Sequence, residues 1–311
     1  MAKFIIRLLV FILIAVTTVA GISIFNRRPL DPSDYMAAII EKHNRIVSTS
    51  PPRMLFAGGS NLTFGLNSEK IEDTYGLPVI NLSLHAGLGL RYILNELKYS
   101  IKPNDIVFLS VEYLLEEVDD YGLMKNTGRY FPEATRFYKK NYILEIKTLI
   151  KNIRNEFRSL FTVRAESVGQ DVTNQIYSRN SFNRYGDLIS HLNQPGREEI
   201  VNPGVLNYRY WEGIELINEF NDFAVSQDVK VYFLFPNFPA SQYIENKSVI
   251  HQIEKDIRAN LEVQILNTPE DFVYPDSMFF DFRYHLNRVG REKRTEKMIV
   301  LIDSVQVTGK K

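Results

Sequence analysis

Cysteine is absent from the 311-residue chain, so disulfides, cysteine-ligated zinc, iron–sulfur clusters and thiol nucleophiles are excluded. Any nucleophile must be a serine, threonine, lysine, tyrosine or carboxylate. An excess of either charge is lacking too, since 37 basic residues balance 37 acidic ones. A nucleic-acid binder would show a basic surplus, and no run of like charges forms a tail, so no nucleic-acid partner is expected. Histidine is scarce. The five present (His43, His85, His191, His251, His285) form no HExxH pair, so no catalytic metal is expected. Neither a P-loop nor a G-x-G-x-x-G spacing occurs, and no cofactor is expected.

What is abundant is apolar residue, 45% of the chain, enough for a packed core. Residues 8–25, "LLVFILIAVTTVAGISIF", run 18 positions without a charge behind Lys3 and Arg7. A stretch of that length can span a bilayer, and Thr18-Val19-Ala20 matches an A-x-A cleavage site poorly. The expectation is an uncleaved signal anchor, a transmembrane helix over 1–28. A stem over 29–52 follows, then a domain over 53–305 held outside the cytoplasm (periplasm or cell surface), and a tail over 306–311.

Within that domain short apolar runs alternate with amphipathic stretches. "RMLFAGG" (53–59), "PVINLS" (78–83), "DIVFLSVEY" (105–113), "KVYFLFP" (230–236) and "EVQIL" (262–266) read as buried strands bounded by Gly, Pro, Asn or Asp. Helical patterns fall near 67–75, 89–101, 208–226, 245–260 and 287–305. The alternation predicts an α/β fold, a mostly parallel five-stranded sheet covered by helices on both faces. Ligands of such folds sit outside the carboxyl ends of the strands. Residues 114–205 break the rhythm and read as a mainly helical insertion, with a long basic helix over 137–161.

Three segments carry chemistry. In "FAGGSNLTFG", Gly58-Gly59 lets the chain turn at the end of the first strand, and Ser60 opens the next element as nucleophile or as helix cap. In "FFDFRYHLNRVG", Asp281 precedes His285 shortly before the last helix, an acid and a base on one loop. In "INLSLHAGLGL", the second strand runs into Asn81 and a glycine-rich turn, whose amides or side-chain N–H offer oxyanion donors. His85 is a rival base there. At the other strand ends stand Glu112 and Tyr113, and the loop "FPNFPASQY" with Asn237 and Tyr243.

The order Gly-Gly-Ser, "NLSLHAG", Asp281…His285 resembles the SGNH (GDSL-like) hydrolase superfamily, over about 53–113 and 228–305. It is most similar to the membrane-anchored branch acting on cell-envelope polymers. The resemblance implies a three-layer α/β/α sandwich with Ser60 as nucleophile, His285 as base and Asp281 as orienting acid. The Ser60 and Gly87 amides, with Asn81, would form the oxyanion hole. Asn61, Glu112, Tyr113, Asn237, Tyr243 and Tyr284 are the further substrate contacts. The expected activity is that of a serine acyl esterase or O-acyltransferase on an acylated glycan or related polymer, with a membrane-bound O-acyltransferase as partner. The chain departs from the pattern in three places: Gly59 replaces the aspartate of Gly-Asp-Ser, Asp281 and His285 lie one residue further apart, and Glu112 replaces an asparagine after the third strand. The alternative is an inactive accessory protein that binds polysaccharide or scaffolds an acyltransferase complex.

Overall fold

The computed structural model describes residues 1–25, 29–118, 120–140, 143, 146, 150, 154, 176–196 and 199–305. Two compact units are present, Met1–Pro32 and Ser33–Lys311. The first holds helix α1 (Ala2–Phe25). Among the described residues no helix is long and apolar enough to cross a membrane. This corrects the expectation of a transmembrane anchor over 1–28, and with it the localisation by a single-pass N-terminal anchor. Lys3 and Arg7 lie in the opening turns of this helix.

The second unit is built on a five-stranded parallel sheet: β1 (Met54–Gly58), β2 (Val79–Asn81), β3 (Ile106–Ser110), β4 (Lys230–Phe233) and β6 (Gln264–Ile265), in the order β2-β1-β3-β4-β6. A two-residue pair, β5 (Phe238–Pro239) with β7 (Val273–Tyr274), lies outside it. The side-chain alternation of each strand divides the core in two. Leu55, Ala57, Ile80, Val107, Leu109, Val231 and Phe233 pack with α5 (Leu90–Ser100), α7 (Gly213–Ser226) and α8 (Ala240–Asn260). Met54, Phe56, Val79, Ile106, Phe108 and Tyr232 face α4 (Ser68–Tyr75) and α9 (Arg288–Ser304). Burial on both faces explains why these strands read as unbroken apolar runs.

The order in which strands are added reverses at β1: the connection to β2 goes one way across the sheet, and β3 lies on the other side. Such a switch point opens a crevice at the carboxyl ends of β1 and β3, where α/β folds bind ligands. At the opposite end of the same two strands Arg53, fully buried, pairs with Asp105 at 2.5 Å. It also donates to Ile46 O at 2.9 Å and Ser100 O at 3.1 Å. One guanidinium thereby joins β1, β3, α5 and α2 (Ile39–Ser48).

Helix α2 lies inside the stretch read as a stem, yet it packs as part of the domain. Met36, Ala37, Ala38 and Ile39 are buried, and so is Lys42. The Lys42 ammonium donates to Asn81 O (2.9 Å), Ser83 O (2.8 Å) and Gly186 O (2.6 Å). Lys42 therefore clamps the end of β2 to the segment 176–193. The described part of 114–205 contains α6 (Tyr121–Tyr130) and short 3₁₀ turns. The helix expected over 137–161 falls largely outside the described residues.

Candidate active site

Strand β1 ends at Gly58 and helix α3 (Ser60–Gly65) begins two residues on, with Gly59 as its N-cap residue. Ser60 is thus the first helical residue and not the cap. Its Oγ lies 2.9 Å from His285 Nε2, while His285 Nδ1 lies 2.8 Å from Asp281 Oδ1. Three residues that are up to 225 positions apart in sequence form one chain of hydrogen bonds. All three are buried; Ser60 is 9% exposed, so a reacting group would meet it largely out of water.

The loop that carries acid and base is tied at both ends. Phe280 N donates to His285 O at 2.8 Å, His285 N to Phe282 O at 2.9 Å, and Val201 N to Asp281 O at 3.0 Å. The additional residue between Asp281 and His285 is absorbed in the tight turn at 282–285, so the longer spacing still brings carboxylate and ring together. The imidazole is held from the side as well: Phe64 stacks on it with ring centroids 3.9 Å apart and planes 6° off parallel. Ser60 and Phe64 stand four residues apart on one short helix, so the same turn presents the hydroxyl and supports the imidazole beside it.

Both glycines before Ser60 are required for space. A Cβ on Gly58 would stand 1.8 Å from Ser110 O of β3. A Cβ on Gly59 would stand 2.1 Å and 2.4 Å from the two carboxyl oxygens of Glu112. The φ of Gly59 is −89°, an ordinary value, so the turn itself does not demand glycine. Glu112 fills the volume that a side chain at position 59 would occupy, and its Oε1 accepts the Asn61 amide at 3.0 Å. Its Oε2 is buried and, among the described residues, has no hydrogen-bond partner. Burial raises its pKa above the usual carboxyl range.

The expected oxyanion donors are only partly available. Asn81 Nδ2 donates to Leu62 O (3.0 Å) and Asp187 Oδ1 (2.9 Å), and its Oδ1 accepts Ser83 N–H, so the side chain serves the fold. The Gly87 amide donates to His85 Nδ1 at 2.9 Å. That bond leaves the His85 proton on Nε2, and burial together with the nearby His285 lowers its pKa. Among the described residues no carboxylate hydrogen-bonds His85, so it lacks the orienting acid that His285 has. The Ser60 amide, at the first helical position, has no acceptor within its own helix.

The expected substrate contacts mostly serve the floor of the site. Arg294, fully buried, donates to Asn61 O (2.7 Å), Asn61 Oδ1 (2.9 Å), Asn237 Oδ1 (2.7 Å) and Ser110 Oγ (3.2 Å). Asn237 Nδ2 donates to Tyr284 O at 3.1 Å, and Tyr284 Oη accepts Tyr113 N–H at 3.2 Å. Tyr243 points its hydroxyl to Glu270 and His251 instead. The ligand atoms of His251, Glu254 and Glu270 lie within 4.8 Å of one another and could hold a cation, although Arg258 already pairs with Glu254.

Two participants carry no signal in the sequence. Arg294 belongs to a helix whose Arg, Glu and Lys content reads as a solvated face, although its guanidinium is wholly inside. Tyr177, from the middle of 114–205, donates its hydroxyl to Asp281 Oδ2 at 2.6 Å. Neither a protein-family model nor a curated protein matches the chain.

Proposed function

We propose that the chain is a serine acyl esterase or O-acyltransferase of the SGNH-like type, working through an acyl-serine intermediate. The observation that carries this reading is the continuous contact Ser60 Oγ–His285 Nε2–Asp281, at 2.9 Å and 2.8 Å. The hydroxyl is within proton-transfer reach of a base whose other nitrogen is oriented by a carboxylate, the requirement for an activated serine. The crevice between β1 and β3 supports it too, as does the parallel sheet.

Ser60 Oγ attacks the ester carbonyl while its proton passes to His285 Nε2, and Asp281 stabilises the imidazolium so formed. The Ser60 amide is available to the developing oxyanion. His285 then returns the proton to the leaving alkoxide, and the acyl group stays on Ser60. Water or a hydroxyl of a glycan or related polymer takes the acyl group in the second half-reaction, with His285 again as base. The nucleophile's burial keeps bulk water from the acyl-enzyme, which favours a hydroxylated acceptor over hydrolysis.

Hydrolysis of p-nitrophenyl acetate and labelling by a fluorophosphonate probe test the reading. Ser60→Ala should lose about 10⁴-fold or more of the esterase rate and all labelling, with its circular dichroism unchanged. An undiminished rate in that variant, or no adduct on Ser60 of well-folded wild type, rejects it.

A further inference from the structure

Asp281 has two carboxylate oxygens, and His285 uses only Oδ1. Oδ2 receives the Tyr177 hydroxyl at 2.6 Å, and the same hydroxyl oxygen stands 3.2 Å from His285 Nδ1. With the Nδ1 proton directed at Asp281, the Tyr177 proton has the carboxylate as its acceptor. Phenol, carboxylate and imidazole thus form a closed triangle, and the ring of Tyr177 lies 6.3 Å from that of His285.

Tyr177 reaches the triad from outside the sheet and its covering helices. Its neighbour Ile176 is buried against Phe64, Leu188 and Phe280. Ser178 bridges to Asp34 and donates its hydroxyl to Ser33 O at 3.0 Å, while Arg179 pairs with Glu41. The phenol is therefore anchored on one side by the stacking partner of His285 and on the other by the segment leading into α2. A side chain held so firmly fixes what it bonds to.

We propose that Tyr177 is a positioning residue of this site, holding Asp281 in the rotamer that aims Oδ1 at His285 and spreading the carboxylate's charge over a second hydrogen bond. The inference rests on the triad reading above, and it gives the segment 176–193 a part in the chemistry. Removing the phenol hydroxyl concentrates negative charge on the oxygen facing Nδ1, which stabilises the imidazolium. The titratable groups around His285 are Asp281 on its own loop, Tyr177 and His191 on 176–193, Glu112 after β3 and His85 after β2.

Tyr177→Phe should lower kcat on p-nitrophenyl acetate about tenfold at unchanged KM, because the carboxylate is no longer held in the rotamer that orients the His285 ring, and this loss outweighs the gain in basicity. It should also move the acid limb of the kcat/KM profile to higher pH. In an Asp281→Asn background the same substitution should have no further effect, since residues acting as one unit are not additive. An NMR titration of the His285 ring reads the shift without turnover, so it tests Tyr177 even if Ser60→Ala proves as active as wild type. An unmoved His285 titration, or a loss of the same size in the Asp281→Asn background, overturns the proposal.

Discussion

Gly59 and Glu112 show how one residue's absence of a side chain is set by another's presence. Gly59→Ala forces a methyl group against a buried carboxyl, an overpacking that should cost about 2 kcal/mol in denaturant unfolding. Combining it with Glu112→Ala vacates the same volume. The pair should then be more stable than the sum of the single changes by over about 1 kcal/mol. Additive losses would mean that position 59 is constrained by something other than the carboxyl group. At this scale the contact of Ser60, His285 and Asp281 is legible in the sequence, because Gly-Gly-Ser and Asp281…His285 place polar groups beside recognisable breaks in the apolar pattern. Tyr177 and Arg294 were not, since nothing in a residue's type reveals that a distant loop will fold back onto it. Asn81 and Gly87 were read as donors to a ligand. The bonds that claim them run to Leu62, Asp187 and His85, and local spacing cannot report such partners.

Among the elements, the strands are the most readable: five short apolar runs stand out between helical patterns, with β1, β2 and β3 buried throughout and β4 buried after Lys230. Helix α2 falls in the stretch read as a stem, yet its Lys42 and His43 are both buried. Three carbonyl acceptors hold Lys42, and Glu96 bonds His43 at 2.9 Å. Arg53 and Asp105 do for β1 and β3 what Lys42 does for β2. Arg53→Met leaves Asp105 charged and unpaired in the interior and should cost about 3–5 kcal/mol in chemical denaturation. Arg53→Met with Asp105→Leu removes both charges and should recover most of that loss. If the double variant is as unstable as the single one, the pair is not what joins these elements.

For the whole molecule, acidity is the condition to which the site is most exposed. His191 is fully buried, donates Nε2–H to Leu286 O at 2.9 Å, and stands next to Phe64 and Phe280. Burial pushes its pKa down to about 4, against 6.5 in the unfolded chain. Because the folded value is the lower one, its contribution to stability is complete above about pH 6.5 and is lost as pH falls towards 4. The loss over that window should reach about 3 kcal/mol, read as a falling midpoint of urea unfolding. His191→Gln should flatten the curve in that range, and an unchanged slope would mean that other groups carry the acid sensitivity. The residue belongs to the segment that also brings Tyr177 to Asp281, so acid should loosen that contact before the sheet.

The carboxyl of Glu112 lying over the bare Cα of Gly59 also limits which substitutions the pair can accept. A protein with an acidic residue at both 59 and 112 would crowd two carboxyl groups into one volume, and one with neither would leave a hole beside its serine. Exchanging one arrangement for the other by single substitutions passes through either a crowded or a hollow intermediate. The two positions therefore form one shared volume that accepts change only in pairs.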